Sequence, residues 1–332
     1  MVNANQPDMK RFMVIGGTGV IGHFVTRRLV DEGYSPVVIT VSGNTGLIKD
    51  ILDKVTVVKA NIVDAEMLNA VFAEHLPTHL VHMGANIGVE QRPSYSAQVY
   101  VEGMANVLEA ARISEVQRMV FTSTKGVYGP VYGEFSHPTY RPLHENMMPQ
   151  PATMRGSYKL ASEHMGRIYR KRHGIEFTAV RFSSTIGPAK TQRHDETSVH
   201  SKMIENAMLG LPAVIAKGGD ALTDIIYNDD AARGIMAVLH AEGPTDVLYN
   251  IGSGYGITLA EFGEGVQTVY PNAEFEIGPG TQYLNPETSG HCILNGTRAR
   301  EDLGFEVSYT PATMVAAYVE MMERMGIDPI AT

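Results

Sequence analysis

Short apolar runs alternate with longer amphipathic segments through the first half of the chain. The apolar runs predict strands at residues 12–15, 36–41, 55–59, 79–83, 118–122 and 177–181. The segments between them carry apolar residues three and four positions apart, which predicts helices at residues 20–29, 65–74, 97–112 and 157–172. Strands that are apolar throughout and alternate with helices are typical of a parallel sheet covered on both faces. The pattern therefore predicts an α/β fold with a doubly wound parallel sheet.

A glycine-rich turn joins the first predicted strand to the first predicted helix. Its sequence is Gly16-Gly17-Thr18-Gly19-Val20-Ile21-Gly22. Glycine at position 16 allows a tight turn, glycine at 19 lets backbone amides approach a pyrophosphate, and glycine at 22 allows close packing of the helix on the sheet. The helix N-terminus adds the positive end of a dipole. In this strand–helix setting the turn predicts a Rossmann-type dinucleotide site, with Gly16, Thr18, Gly19, Val20, Ile21 and Gly22 around the cofactor.

The group that would contact the adenosine ribose is less evident. An acidic residue is expected about 20 positions after the glycines, but the second strand ends in Ile39-Thr40-Val41-Ser42-Gly43-Asn44. Thr40, Ser42 or Asn44 could bind a ribose hydroxyl or a 2′-phosphate, or could simply form the turn. NAD is the expected cofactor, and NADP stays an alternative.

Composition and charge narrow the classes of partner. Hydrophobic residues make up 44% of the 332 positions and charged residues 19%, which indicates a globular protein with a core. A formal net charge of -9 argues against nucleic acid or an anionic membrane surface as partner. No apolar run approaches the ~18 residues of a membrane span, and the polar start resembles no secretory signal. The single cysteine, Cys292, forms no intrachain disulfide, so a reducing, cytoplasmic location is expected.

Further segments resemble, in order, those of the extended short-chain dehydrogenases, which include nucleotide-sugar epimerases, dehydratases and threonine dehydrogenases. Besides the glycine turn they lie at residues 61–64, 81–85, 121–129, 181–188, 224–231, 249–254 and 295–305. The resemblance implies that Asn61 and Ile62 contact adenine, although the family usually has Asp at the first position. It also implies that Met83, Gly84 and Ala85 pass beside the cofactor, and that Thr124 stands at the catalytic Ser or Thr position.

The active-site motif of the same family, Tyr-x-x-x-Lys on a helix, is altered in this chain. In Met154-Arg155-Gly156-Ser157-Tyr158-Lys159 the lysine is present, but Arg155 stands in place of the tyrosine. A guanidinium stays protonated at any working pH and cannot act as the base. Tyr158 projects about 100° away around the helix, so it either reaches the site from the side or packs elsewhere. The resemblance therefore implies Thr124, Lys159, Arg155 and Tyr158 as catalytic candidates, with Arg155 binding an anion.

Two more family positions differ, since Tyr100 and Ser184 stand where asparagine is usual. On the substrate side, Thr223 precedes Asp224 where nucleotide-sugar enzymes of the family usually have arginine, which weakens the case for a diphosphate sugar. Arg193 and His194 are candidate substrate contacts, or belong to a solvated surface loop. The spacing of His194, Asp195, Glu196 and His200 fits no known ligand set, so no metal is expected.

The resulting interpretation is an NAD(P)-dependent oxidoreductase or epimerase that acts on a hydroxyl or keto group of a small polar substrate, sugar-like or a hydroxy acid. The alternatives are a lyase or isomerase that retains the cofactor without a tyrosine base, and a non-catalytic dinucleotide-binding protein. We expect a cofactor domain at residues 1–187 with 219–242, and a smaller C-terminal substrate lobe at 188–218 and 243–332. Helices 97–112 and 157–172 correspond to those with which relatives form an intersubunit four-helix bundle, so a homodimer is expected.

Overall fold

The computed structural model describes residues 10–85, 92–190, 199–283 and 291–331. Contacts between residues divide the chain into two units that interleave along the sequence. The first unit comprises Met1–Ser123, Ser157–Val180 and Ala232–Tyr249, and the second comprises Thr124–Gly156, Arg181–Ala231 and Asn250–Thr332. The domain bounds expected from the sequence stay a prediction.

The helices and strands follow the alternation that the sequence predicts. The strands are β1 (Phe12–Ile15), β2 (Val37–Thr40), β3 (Thr56–Lys59), β4 (His79–His82), β5 (Arg118–Thr124), β6 (Glu176–Phe182), β7 (Ser184–Ile186), β8 (Ala213–Ile215), β9 (Ile225–Tyr227), β10 (Leu248–Ile251) and β11 (Phe275–Ile277). The helices are α1 (Gly22–Asp31), α2 (Ala65–His75), α3 (Pro93–Ala97), α4 (Gly103–Ile113), α5 (Met154–His173), α6 (Val199–Met208), α7 (Asn228–His240), α8 (Leu259–Gln267), α9 (Thr297–Leu303) and α10 (Pro311–Met325).

A seven-stranded sheet in the order β10-β6-β5-β4-β1-β2-β3 forms the centre of the first unit. Neighbouring strands run parallel, and Met13 of β1 pairs with Val37 of β2 and with Leu80 of β4. Every residue of β1 and β4 is buried, as expected for strands covered on both faces. The predicted doubly wound parallel sheet is therefore confirmed. Its parallel strands bring the glycine turn, the end of β2 and the end of β4 to one edge.

Two helices differ from the sequence prediction in ways that affect the site. The segment predicted as one helix at 97–112 consists of three parts in the structure: the end of α3, a π-helical turn at Gln98–Glu102, and α4. A π turn adds a residue that apolar spacing does not reveal. Helix α5 begins at Met154 rather than at residue 157, because the Thr153 hydroxyl accepts a hydrogen bond from the amide of Gly156 at 3.0 Å. This cap places Arg155 within the first helical turn.

The second unit contains two short parallel strand pairs, β7 with β9 and β8 with β11. Its helices are tied together by the buried carboxylate of Glu205 on α6. That carboxylate accepts hydrogen bonds from the Tyr318 hydroxyl of α10 at 2.6 Å and from the amide of Ile330 at 2.9 Å. Among the described residues, no helix combines the length and the apolar character needed to cross a membrane.

Candidate active site

The glycine turn has the shape that a pyrophosphate requires. Gly16 has φ +83, and a Cβ there would lie 3.2 Å from the carbonyl carbon of Met83. A Cβ at Gly22 would lie 2.1 Å from the carbonyl oxygen of Gly16, so only glycine lets α1 begin this close to the turn. The described first turn of α1 contains no acidic residue, and its preceding residue, Ile21, gives no side-chain cap. The positive end of the helix dipole therefore stays available to an anion, and these residues fit a dinucleotide.

At the end of β2 the three polar candidates have different surroundings. The buried Thr40 hydroxyl accepts a hydrogen bond from the Thr18 hydroxyl of the glycine turn at 3.2 Å. By contrast, the Ser42 hydroxyl accepts from the amide of Asn44 at 3.1 Å, and the Asn44 side-chain oxygen accepts from the amide of Gly46 at 2.9 Å. The side chains of Ser42 and Asn44 therefore stabilise the turn that follows β2. The Thr40 side chain instead is hydrogen-bonded to the glycine turn.

The expected adenine segment follows β3. The Asn61 side-chain oxygen accepts a hydrogen bond from the amide of Val63 at 3.2 Å, and Asp64 caps α2 through the amide of Met67 at 3.0 Å. Ile62 is buried, and a Cβ at Gly103 of α4 would lie 2.7 Å from it. Tight local packing thus fixes Asn61 and Ile62 at the strand end, and their contact with adenine stays a prediction.

The segment after β4 packs against the glycine turn. The amide of Met83 donates to the carbonyl of Ile15 at 2.9 Å, and the amide of Gly84 lies 3.3 Å from the position of a Cβ on Gly16. Met83 and Gly84 are therefore next to the glycine turn, as the resemblance implies. Ala85 is the exposed last residue before a segment, 86–91, that lies outside the described residues.

Lys159 is fixed within the first unit although it carries a charge. Its side chain is almost fully buried, and its ammonium donates a hydrogen bond to the carbonyl oxygen of Thr122 at 2.6 Å. The same ammonium lies 4.5 Å from the centroid of the Phe121 ring and 5.5 Å from that of Tyr100, which are favourable cation–π contacts. Burial, followed by the charge of Lys159, lowers the pKa of His82 to about 3. His82 is therefore neutral at working pH, and Lys159 is the local cation.

Tyr158 has a packing role in the same unit. Its ring stacks on the ring of Tyr100, with 5.7 Å between centroids and 18° between planes. Among the described residues its hydroxyl makes no hydrogen bond. Of the two interpretations that the sequence left open, this contact favours packing. A catalytic role for Tyr158 stays a prediction.

Thr124 and Arg155 belong to the second unit. The Thr124 hydroxyl caps the short turn after β5, because it accepts a hydrogen bond from the amide of Gly126 at 3.1 Å. A Cβ at Gly156 would lie 2.7 Å from the carbonyl oxygen of Gly126, so the first turn of α5 packs tightly on the turn that follows Thr124. Arg155 is exposed, and no acidic side chain in the described part of the chain forms an ion pair with it. The guanidinium is thus available to an anion.

The structure adds two lysines, Lys125 and Lys190, to the positive charge around Arg155. The ammonium of Lys190 donates to the carbonyl and hydroxyl oxygens of Thr185. Burial, followed by the charges of Arg155 and Lys125, lowers the pKa of Lys190 to about 7. The two lysines lie 65 positions apart in the sequence, so no motif signals that they act on one another. This part of the second unit is strongly positive.

The metal expectation concerned His194, Asp195, Glu196 and His200. Of these only His200 is described, and the substrate candidates Arg193 and His194 also lie outside the described residues. Within the described ranges, no group of three or more histidine, cysteine, aspartate or glutamate side chains could hold a metal ion.

Known proteins similar to this chain share both its sequence and its architecture. The sequence model of the NAD dependent epimerase/dehydratase family matches residues 12–252. A UDP-glucose 4-epimerase from Mycolicibacterium smegmatis is 29% identical over 322 residues, which cover 93% of this chain and 97% of that protein. A dTDP-glucose 4,6-dehydratase from Salmonella typhimurium is 26% identical over 250 residues, 69% of this chain and 68% of that protein.

Two solved structures have the same fold. UDP-glucose 4-epimerase from Thermus thermophilus, in complex with NAD, superposes with a TM-score of 0.78 at 24% identity and covers 94% of this chain and 99% of that one. L-Threonine 3-dehydrogenase from Trypanosoma brucei gives a TM-score of 0.84 at 22% identity, with 97% and 100% covered. Because the family model spans most of the chain and the glycine turn fits its cofactor, the chain belongs to the NAD dependent epimerase/dehydratase family and is an NAD-dependent enzyme.

Proposed function

We propose that the enzyme transfers hydride at a carbon that bears a hydroxyl or keto group in a small polar substrate with an anionic group. The observation that carries this proposal is the buried Lys159, held by the Thr122 carbonyl at 2.6 Å on the strand that ends at Thr124. Burial of an ammonium costs free energy that one carbonyl hydrogen bond offsets only in part, which supports a functional role for Lys159. A protein that only bound the dinucleotide would not need Thr124 as well. The site therefore supports catalysis more than simple binding.

The glycine turn, Lys159 and Thr124 would each have a separate role in such a reaction. NAD, when bound in the glycine turn, supplies the acceptor for a hydride. Lys159 would hold the ribose next to the nicotinamide and favour the ionised form of a nearby hydroxyl. The Thr124 hydroxyl accepts a hydrogen bond from Gly126, and its own proton has no acceptor among the described residues. That proton is thus available to a substrate oxygen.

Arg155 holds the anionic group of the substrate in this proposal. It cannot exchange protons, because guanidinium stays charged, but its planar fork matches a carboxylate or phosphate. A cation on the same helical face as Lys159, one turn earlier, is repelled by the lysine unless an anion is present. The substrate anion would remove that repulsion.

The arginine also favours a second candidate function, a lyase or isomerase that retains NAD without a tyrosine base. In that case turnover would change carbon–carbon or carbon–oxygen bonds or a stereocentre, with no net change in NAD. A net oxidoreductase accumulates reduced nicotinamide when a single substrate is supplied, whereas an epimerase, a lyase or an isomerase leaves NAD unchanged after turnover.

The test is turnover with NAD and three kinds of substrate, namely hydroxy acids, sugar acids and UDP-glucose. The reduced nicotinamide is followed by absorbance, and exchange of the carbon-bound hydrogen is followed by NMR. We expect turnover with an acid, and at least about a hundredfold loss in Lys159→Met. Lys171→Met, an exposed lysine late in α5, is the matched control and should keep full activity. Turnover confined to UDP-glucose, or unchanged in Lys159→Met, would contradict the proposal.

We propose that the protein forms a homodimer and lies in a reducing compartment. Two apolar side chains on the predicted bundle helices are exposed, Val101 in the π turn at 39% and Ile168 on α5 at 49%. They support a homodimer built from the π turn, α4 and α5. The single cysteine, buried Cys292, supports a reducing compartment such as the cytoplasm. The expected partner is a small-molecule substrate.

A further inference from the structure

A buried polar cluster in the second unit has no part in the chemistry described so far. It consists of His200 on α6, Thr223 before β9, and Tyr283 and His291 from the last third of the chain. His200 is 6% exposed, His291 5% and Thr223 2%. The rings of Tyr283 and His291 lie 4.6 Å apart, and those of His200 and Tyr283 lie 5.9 Å apart. Four polar side chains from distant segments thus meet in the interior.

Two imidazole nitrogens of this cluster are unpartnered among the described residues. They are Nε2 of His200 and Nε2 of His291, both buried. Buried polar atoms are nearly always hydrogen-bonded, so each exception requires an explanation. A packing role alone would be met by apolar side chains of similar size at lower cost.

The hydrogen bonds within the cluster indicate which ring nitrogen of His291 carries the proton. The Thr223 hydroxyl lies 2.8 Å from the Tyr283 hydroxyl and 3.0 Å from Nδ1 of His291. If Tyr283 donates to Thr223 and Thr223 donates to Nδ1, every hydroxyl proton is used, and the neutral ring carries its proton on Nε2. The reverse direction leaves the Tyr283 proton without an acceptor among the described residues. The first arrangement makes His291 Nε2–H a buried donor.

The surroundings of the two histidines are positive. Burial and then the charge of Lys125 lower the pKa of His291 to about 4, while burial and then Lys190, His291 and Lys125 lower the pKa of His200 to about 3. The carboxylate of Asp224, the residue after Thr223, already has hydrogen-bond partners. Its oxygens accept from the amide and hydroxyl of Ser253 at 2.9 and 2.7 Å and from the amide of Leu294 at 3.0 Å.

The unpartnered Nε2 atoms of His200 and His291 and the positive charge around them limit which kind of ligand can bind here. A metal ion would be repelled by Lys125 and Lys190, and the described residues add no third metal ligand. A neutral apolar group would leave the nitrogens unsatisfied. An oxygen anion accepts from the Nε2–H of His291, and it accepts from His200 when that neutral ring carries its proton on Nε2. Its charge also neutralises the ammonium groups.

We infer that His200 and His291, braced by Thr223 and Tyr283 and influenced by the charge of Lys125, form a buried subsite for a compact oxygen anion of the substrate. A carboxylate and a phosphate monoester share the required chemistry. The inference rests on the proposed function, because it adds buried partners to Arg155 for the anionic group of that substrate.

The test uses the NAD-loaded protein labelled with ¹⁵N in histidine, titrated separately with malonate and with inorganic phosphate. We expect one probe to shift the imidazole resonances of His200 and His291 and to saturate. Saturation by malonate alone identifies a carboxylate site, and by phosphate alone a phosphate site. Lys125→Met should weaken the bound probe roughly tenfold, as expected for loss of a charged partner. The control Lys171→Met should bind as the parent does.

Thr223→Val provides a second variant that removes only the brace of His291. It should weaken the probe severalfold and shift the His291 tautomer, which a purely structural role of Thr223 would not couple to probe binding. If neither probe moves the two histidines in the NAD-loaded parent, the subsite does not exist and ordered water satisfies the nitrogens. If a probe shifts the two histidines but the NAD-loaded protein turns over no acid, the anion subsite exists and the proposed function is wrong.

Discussion

At position 155 a guanidinium stands where the resembling family has a phenol, while Lys159 keeps its place one turn later. The resemblance to the family implied both correspondences, and the capped start of α5 places Arg155 on the same helix as Lys159. What the sequence could not predict is the positive charge of Lys125 and Lys190 near Arg155. That charge comes from segments far apart in the chain, and neither apolar spacing nor short motifs indicate which distant side chains lie close together.

The first prediction concerns this arginine. Arg155→Lys should raise the KM for an anionic substrate about tenfold or more, because the bidentate fork is lost while the charge is kept. Arg155→Tyr should give or increase ordinary alcohol–ketone redox activity, because it supplies a phenol one turn before Lys159. Steady-state kinetics with a hydroxy acid and with an uncharged alcohol measure both effects. Equal KM values for Arg155→Lys and the parent would argue that Arg155 does not contact the anion.

At the scale of elements, the strand–turn–helix unit from β1 to α1 was predicted well because it is local. Gly16, Gly19 and Gly22 lie within seven residues of one another, so the sequence itself shows the steric requirements of the turn. The π turn at Gln98–Glu102 and the short strands of the second unit were not predicted. The short strands form through pairing between residues far apart in sequence, such as Ser184 with Ile225.

The second prediction tests the glycine turn as an element. In Gly19→Val the new side chain begins 3.1 Å from the carbonyl oxygen of Gly16 and extends toward the pyrophosphate position, so calorimetry should detect no NAD binding. Gly243→Val is the matched control, because a Cβ there meets no atom within 4 Å. Circular dichroism should show both variants folded. Parent-like NAD affinity in Gly19→Val would refute the site assignment.

At the scale of the whole molecule, the confirmed properties are the parallel sheet and the NAD-dependent family. The sequence predicted both, because apolar strands that alternate with helices and a glycine turn are strong global signals. The buried histidines could not be predicted, since burial of a histidine depends on the packing of the complete fold. Because burial lowers their pKa values, we expect these histidines to make the stability of the fold sensitive to acid.

The third prediction is acid sensitivity of folding. Burial is the first cause that lowers the pKa of His79 and His291 to about 4 and of His82 and His200 to about 3. The unfolded chain binds these protons near pH 6.5 and the folded chain does not, so stability is full above pH 6.5 and falls toward pH 4. Each group contributes up to about 1.4 kcal/mol per pH unit in this range.

Urea denaturation at pH 7.5 and at pH 5.5 measures this effect. The parent should lose stability at the lower pH, and His82→Leu should lose less because one buried imidazole is gone. Equal midpoints for the parent at the two pH values would show that these histidines are protonated in the fold.

The fourth prediction is the homodimer. Light scattering at micromolar concentration should give twice the mass of the 332-residue chain, since exposed Val101 and Ile168 would be covered by a second copy. Ile168→Glu should shift the mass toward the monomer. A monomer mass for the parent would refute the assembly.

The most direct test of the central claim is a crystal structure of the protein with NAD. We predict the pyrophosphate on the turn from Gly16 to Gly22, the ammonium of Lys159 at a hydroxyl of the nicotinamide ribose, and no tyrosine hydroxyl within ~3 Å of the position of a substrate oxygen at the nicotinamide. A dinucleotide bound elsewhere would contradict the assignment of the site. A tyrosine from another segment at that position would show that the chain has moved its base and that Arg155 does not replace it.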